Sequence, residues 1–377
     1  MAKKNMRVTM DETRESLNII NDPRRSFGGS TLESFIFLVL DCYSYTAGEK
    51  VTGEILLMIA EPLDKACLKI QSKGQEKVTV YSSKDRSQIL LDETRDVFIL
   101  DTKVENWEPG LPTGHYVFPF NFKLPAYSPA SFYYSGDDVV GNYVKAEVIY
   151  SLTIKLEINN SPGLSHMRIV HVKNIGSLEK PGPSLEATAS ISSCCFSNKG
   201  TTDFQLSVGN TDHCQVDGEV MYKLIPNNTL CKAPINQVVG TVLMEMEVHT
   251  KKGSFQIYRK LSEVDRATWI SAFTSLIYER DFEYHSDLKV ASDELNPCTN
   301  HSALIRCEYI VEVIVYYDIA FIREPIVIRL PFHVNPKINY RKEDPNLPFN
   351  WNPIESSIYN FIVETQIEST VFPLQIN

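Results

Sequence analysis

Hydrophobic and polar residues alternate with a period of two across most of residues 35–335. The alternation is clearest in 147–158, where every second residue is apolar: Val148, Tyr150, Leu152, Ile154, Leu156 and Ile158. Because successive side chains of a β-strand point to opposite faces of a sheet, this pattern predicts a strand with one buried and one wet face. A helix would mix the two sets of residues.

The same alternation returns in several later stretches, notably 204–208, 242–248 and 305–315. Turn-forming pairs such as Pro109-Gly110, Asp217-Gly218 and Lys252-Gly253 lie between such stretches. Many short strands separated by turns are typical of a β-sandwich. We therefore expect an all-β protein with two immunoglobulin-like β-sandwich domains in tandem.

A proline-rich stretch supplies the expected boundary between the domains. Residues 177–184 contain Lys180-Pro181-Gly182-Pro183, and prolines placed in this way cannot continue a strand. We expect an N-terminal domain over 34–176, a linker over 177–184 and a C-terminal domain over 185–335. Residues 1–33 and 336–377 carry no sustained period, so we expect polar N- and C-terminal arms.

One segment of the second domain departs from the period of two. Between residues 262 and 280, Trp269, Ile270, Phe273, Leu276 and Ile277 recur at helical spacing behind Ser262, a suitable N-cap. The segment fits a short helix as well as a pair of strands, and a helix there would be either a docking surface or a cap on the sandwich.

Aromatic residues outside the regular alternation are candidates for protein interaction. The C-terminal tail is unusually rich in apolar residues for a segment that is exposed only to solvent. Together with the segment at 262–280 it supplies five candidate interaction residues, namely Trp269, Phe273, Trp351, Phe361 and Phe372.

Charge and composition narrow the function classes. The net charge of −10 argues against nucleic-acid binding, which needs a concentrated basic face. No stretch approaches the ~18 apolar residues of a membrane span, and the polar N-terminus lacks the apolar core of a signal peptide. We expect a cytoplasmic protein without a transmembrane segment, whose eight cysteines are reduced.

The sequence offers no recognisable arrangement for catalysis. It contains neither a G-x-S-x-G nucleophile motif nor a phosphate-binding loop with Gly-Lys-Ser/Thr. Cys194, Cys195, Cys214 and Cys231 with His213 lack the paired spacing that structural zinc sites favour, so core thiols are the better explanation. We expect no enzymatic activity, no cofactor and no metal site.

Two segments resemble the arrestin-like family. Residues 37–55 read F-L-V-L-D-C-Y-S-Y-T-A-G-E-K-V-T-G-E-I, similar to the opening of an arrestin-like N-terminal domain, with matches at Asp41, Gly48, Glu49, Val51 and Gly53. Residues 114–125 resemble the family's G-x-x-x-F-P-F-x-F-x-L-P segment. Asp217-Gly218-Glu219-Val220 is similar to part of the C-terminal arrestin domain, and the α-arrestin branch of arrestin domain-containing proteins looks closest. Independently of the family, Pro119 and Pro125 confine the strand between them to a sheet edge or a bulge.

The resemblance implies the arrestin fold and a non-enzymatic adaptor or scaffold for protein transport. Its partners would be membrane cargo, receptor tails or trafficking proteins, and it would be cytoplasmic and associated with endosomes. The chain lacks the Pro-Pro-x-Tyr motif by which α-arrestins recruit ubiquitin ligases, which puts ligase recruitment in doubt. The alternative is a structural subunit of a large assembly, such as ciliary axonemal microtubules, the cytoskeleton or an organellar complex, with the arms held by neighbours.

Overall fold

A computed structural model describes residues 34–42, 44–159, 161–173, 182–193, 197–209, 214–274, 282–289, 297–299, 301–319, 324–336, 347–348 and 350–365. This described part of the chain is all-β and contains no helix, which confirms the expected fold class.

Nine strands in the first half of the chain and three in the tail form the first sandwich. In chain order they are β1 (Phe35–Leu40), β2 (Ser44–Thr46), β3 (Lys50–Ile59), β4 (Ala66–Tyr81), β5 (Ile89–Trp107), β6 (Gly114–Lys123), β7 (Phe132–Asp137), β8 (Tyr143–Ile158) and β9 (Ser161–Lys173). The tail adds three more, which are numbered after the strands of the second sandwich.

Eight strands form the second sandwich. They are β10 (Ser184–Ser193), β11 (Ser197–Gly209), β12 (Glu219–Asn227), β13 (Ile235–Thr250), β14 (Gly253–Ile270), β15 (Phe282–Asp287), β16 (Ile305–Tyr317) and β17 (Ile326–Phe332). The tail strands are β18 (Ile354–Glu355), β19 (Tyr359–Phe361) and β20 (Glu364–Thr365).

Each sandwich consists of two sheets. In the first, one sheet has the order β1-β3-β6-β18, with β19 also paired to β6, and the other has the order β2-β9-β8-β4-β5-β20, with β7 paired to β8. In the second, the sheets have the orders β10-β11-β12-β15 and β14-β13-β16-β17. Among the named strands of the described residues, no ladder joins one sandwich to the other.

The predicted alternation agrees with the burial of β8. Five of the six apolar residues, Val148 to Leu156 in steps of two, are buried, and Ile158 packs against the core from its margin. Across the first sandwich, the rings of Phe98 on one sheet and Phe122 on the other lie 6.5 Å apart. This interlocking of apolar faces supplies the main favourable free energy of folding.

The segment at 262–280 is not a helix where the structure describes it. Residues up to Ile270 continue β14, which pairs antiparallel with β13, and residues 271–274 form a turn. The helical alternative was therefore wrong for this part, because the long-range ladder with β13 overrides the local spacing of apolar residues. Residues 275–281, with Leu276 and Ile277, lie outside the described part of the chain.

The two sandwiches contact each other through polar groups. Glu76 on β4, only 1% exposed, accepts hydrogen bonds from the backbone N–H groups of Ala303 at 3.1 Å and Leu304 at 3.2 Å. The turn between β13 and β14 also reaches the first sandwich, since the Lys251 N–H donates to Glu93. Burial raises the pKa of Glu76 above its usual range, and this effect outweighs its hydrogen bonds.

Candidate functional site

The edge of the first sandwich at β6 carries the C-terminal tail as added strands. β6 pairs antiparallel with β3 on one side, and on the other side β18 and β19 run parallel to it. The register places Ile354 beside Tyr116 and Phe361 beside Phe122. Without the tail, β6 would therefore be an edge strand, as the bracketing prolines predicted.

Pro119 explains why the tail pairs in two short pieces. β18 lies beside Tyr116 and Val117, and β19 lies beside the three residues from Phe120 to Phe122, so the gap between them faces Phe118 and Pro119. Proline has no N–H group to donate to a ladder. Between the two pieces, the Ser356 N–H still donates to the Val117 carbonyl at 3.0 Å.

Trp351 anchors the start of the docked tail. Its ring stacks on His115 with the centroids 4.7 Å apart and on Phe35 at 5.9 Å. The Asn352 N–H donates to Nδ1 of His115 at 3.1 Å, so the same histidine holds both the side chain and the backbone of the tail. Aromatic pairs of this kind contribute about 0.5–1.5 kcal/mol each beyond their burial.

Three consecutive residues of β19 form the second anchor. The Tyr359 hydroxyl donates to Glu105 on β5 at 2.7 Å, and its ring lies 6.4 Å from that of Phe118. The Asn121 side-chain amide donates to Oδ1 of Asn360 at 2.8 Å, and Phe361 stacks on Tyr359. Burial, with the hydrogen bond to Glu105, raises the pKa of Tyr359 to about 12, so the phenol stays protonated at neutral pH.

The tail then crosses from one sheet of the sandwich to the other. β20 pairs antiparallel with β5, with Glu364 beside Ile99 and Thr365 beside Phe98. Three isoleucines of this segment, Ile354, Ile358 and Ile362, remain exposed, the last of them at 89%. The tail thus contacts the sandwich through its aromatic and amide side chains and shows these isoleucines to solvent.

The five aromatic candidates of the sequence do not form one site. Trp351 and Phe361 both lie in the docked tail at β6, whereas Trp269 and Phe273 lie exposed at one end of the second sandwich. Phe273 adopts a left-handed backbone conformation with φ of 61° in the turn after β14. Phe372 lies outside the described residues.

Sequence reasoning missed the groups that receive the tail. His115, Asn121 and Glu105 lie on β6 and β5, where they read as ordinary strand residues. Asn121 offers one signal, since it is buried within a run of apolar strand residues and a buried amide requires a partner. Its partner, Asn360, lies 239 residues away along the chain, which no local pattern reveals.

Metal binding and membrane insertion need particular groups of residues. Among the described residues, no group of three or more histidine, cysteine, aspartate or glutamate side chains could hold a metal ion. The described part of the chain contains no helix that is long and apolar enough to cross a membrane. Cys194, Cys195 and His213 lie outside the described residues, while Cys214 and Cys231 are buried in the core.

Comparison with known proteins identifies the first sandwich. Residues 40–175 match the model of the arrestin (or S-antigen) N-terminal domain. Arrestin domain-containing protein B of Dictyostelium discoideum is 27% identical over 156 residues, which are 39% of this chain and 23% of that protein. Arrestin domain-containing protein A of the same organism is 24% identical over 164 residues, 39% of this chain and 27% of that protein.

The matched regions span only about a quarter of either relative's length. The family model's match, residues 40–175, coincides with the sandwich that receives the tail, and the all-β architecture agrees with the family's fold. These comparisons support an arrestin-like family for this chain, whose residues 40–175 match the arrestin N-terminal domain.

Proposed function

We propose that this protein is a non-enzymatic adaptor that binds extended segments of other proteins along the β6 edge of its first sandwich, in competition with its own tail. The proposal rests on one observation: the tail already lies on this edge as parallel strands. An edge strand that accepts one peptide by backbone hydrogen bonds can accept another, and side-chain pockets then give specificity.

The docked tail indicates what a partner segment would need. It would place an aromatic ring against His115 and Phe35, and a hydrogen-bonding aromatic residue near Glu105, eight residues further along. Next to the second aromatic residue, a polar side chain would accept a hydrogen bond from the Asn121 amide, as Asn360 does in the tail. A short extended segment of this kind can lie within the cytoplasmic tail of a membrane protein, and we propose cargo or receptor tails and trafficking proteins as partners.

Tethering sets how strongly a partner must bind. Because the tail is part of the same chain, its effective concentration at β6 is on the order of millimolar. A partner therefore competes only if it binds more tightly than the tail, or if the tail is first weakened. The occupied edge would also be protected from pairing with other chains, which is how native proteins manage exposed strand edges.

The remaining expectations fit an adaptor of this kind. We propose residues 34–176 and 185–335 as its two domains, joined at 177–184, and a cytoplasmic, endosome-associated location. The thiols of Cys42, Cys67 and Cys231 support a reducing compartment. Residues 350–365 of the tail are held by pairing with β6 and β5 of the first sandwich. This part of the chain therefore needs no neighbour in a larger assembly.

A peptide competition experiment tests the proposal. The probe is a fluorescein-labelled peptide with the sequence of residues 350–365, added to the full chain and to its Trp351→Ala/Tyr359→Ala variant. We expect the probe to bind the variant at least tenfold more tightly than the wild type, since the weakened tail leaves β6 open. The same peptide with alanine in place of Trp351 and Tyr359 is the matched control and should bind neither protein.

Two results would contradict the proposal. Equal binding of the probe to both proteins would show that the tail does not compete for its site. Equal binding of the probe and the control peptide to the variant would show that the aromatic anchors do not select the ligand.

A further inference from the structure

The outer face of one sheet in the second sandwich carries an apolar patch that spans all four strands. Val327 on β17 is 49% exposed, Tyr316 on β16 is 37% exposed and Trp269 on β14 is 61% exposed. Val239 on β13 and Ile314 on β16 are half-buried between them. We refer to these five residues as the sheet-face patch.

The strand register places four of the five patch residues side by side. Val239 lies directly opposite Ile314, and Ile314 lies directly opposite Val327. Two residues further along the strands, Gln237 on β13 lies between Tyr316 on β16 and Ala267 on β14. Trp269 comes two residues after Ala267 and lies on the same face of β14. Directly opposed side chains lie about 4.5–5.5 Å apart at their Cβ atoms, so Val239, Ile314, Val327 and Tyr316 adjoin one another. Gln237, whose amide donates to the Asp265 carboxylate at 2.8 Å, lies between these four residues and Trp269.

The rest of the same face shows how the sheet is covered elsewhere. Leu243 and Ile310, a further opposed pair on β13 and β16, are buried. Charged side chains lie around them, with Lys260 paired to Glu263 and Arg329 paired to both Glu245 and Glu312. Ion pairs thus shield one half of the face, whereas the sheet-face patch in the other half is left to solvent. Large apolar areas of this kind mark interaction sites more often than plain surface.

The charges around the patch are acidic. Asp265 lies opposite Val239 on β14, and Asp318 and Glu324 are exposed beside the ends of β16 and β17. Of the described basic groups on β14 and β17, Lys260 and Arg329 already pair with glutamates, and Arg266 stacks on the Tyr284 ring at 4.6 Å. An anionic lipid surface would be repelled by this rim, while a cationic partner would be attracted to it.

We propose that the sheet-face patch binds an amphipathic helix of a partner protein that carries lysine or arginine beside its apolar stripe. The patch crosses three strand spacings, about 14 Å, and extends about 14 Å along the strands, so its diagonal is about 20 Å. A helix lying along that diagonal covers it with about 13 residues, or nearly four turns. Its apolar stripe would cover the five residues of the patch and its cations would approach the acidic rim. This surface lies on the second sandwich and does not involve the β6 edge.

Model peptides test the proposal on the full chain. The probes are two labelled, helix-forming 14-residue peptides with the same leucine stripe, one with lysine and one with glutamate at its polar positions. We expect the Leu/Lys peptide to bind the wild type with a micromolar Kd and the Leu/Glu peptide to bind at least tenfold more weakly. In the variant Tyr316→Ser/Val327→Ser, affinity for the Leu/Lys peptide should fall at least tenfold.

The control variant is Ile362→Ser, which removes a more exposed apolar side chain from the docked tail and should leave affinity unchanged. Because the substituted residues are exposed, the melting temperature should stay within a few degrees of the wild type in both variants. Equal binding of the Leu/Lys peptide to the patch variant and the control would overturn the proposal. It would also be overturned if vesicles containing phosphatidylserine bind the wild type and this binding is lost in the patch variant.

Discussion

Replacing Trp351 by alanine should release the docked tail while leaving the first sandwich folded. Trp351 contacts His115 and Phe35 by two stacked ring pairs, at 4.7 and 5.9 Å. At about 0.5–1.5 kcal/mol for each pair, the tail loses about 1–3 kcal/mol of docking free energy. The ratio of released to docked tail then rises about 5- to 150-fold.

Hydrogen exchange measures this ratio at individual amides. The Ser356 N–H, which donates to the Val117 carbonyl, and the β19 amides should exchange faster by the same factor. Trp269→Ala is the matched control, because it removes an exposed tryptophan from the second sandwich and should leave tail exchange unchanged. The reasoning is refuted if tail exchange in Trp351→Ala equals that of the wild type. It is equally refuted if the amides of β8 lose protection to the same extent, which would indicate global unfolding.

Three further predictions concern stability and reactivity. Because the folded-state pKa of Glu76 is raised, the folded chain binds a proton more tightly there, and stability falls as pH rises from the ordinary glutamate pKa through the raised value. Gln cannot ionise, so the melting temperature of the wild type should fall relative to that of Glu76→Gln across this window, and a pH-independent difference would be a contrary result. A Cβ at Gly74 would lie 2.7 Å from the Tyr150 ring. Gly74→Ala should therefore lower the free energy of unfolding, measured with denaturant, by about 1–3 kcal/mol. An unchanged denaturation midpoint would show that the ring can move. Burial raises the pKa of the Cys298 thiol to about 12. A thiol reagent should therefore label exposed Cys42 in the native protein and Cys298 only after unfolding, as mapped by mass spectrometry. Comparable labelling of both in the native protein would disprove the burial of Cys298.

The sequence predicted the features that depend on neighbouring residues. Alternation in 147–158 predicted the buried face of β8, because strand geometry alone decides which side chains share a face. The prolines around residues 119–125 predicted a sheet edge or a bulge, because proline cannot donate to a ladder, and β6 is followed in its sheet only by the short tail strands. Both features follow from local stereochemistry.

Features that depend on distant pairing were not predictable in the same way. Over 262–270 the spacing of Trp269 and Ile270 fitted a helix, but antiparallel pairing with β13 decides the structure. The tail strands contain only two or three residues each, too few for a period, and they form because β6 and β5 offer unpaired backbone groups. The contacts of Tyr359 with Glu105 and of Asn360 with Asn121 follow from that docking.

A designed cross-link between β6 and β19 tests the central claim most directly. Asn121 and Asn360 lie opposite each other in the parallel ladder, so the variant Asn121→Cys/Asn360→Cys should form a disulfide under mild oxidation, and Asn121→Cys/Ile362→Cys should not. With the tail locked on β6, the oxidised protein should no longer bind the labelled peptide of residues 350–365, and reduction should restore the weak binding of the wild type. Failure of the disulfide to form, or undiminished peptide binding by the locked protein, would contradict the account.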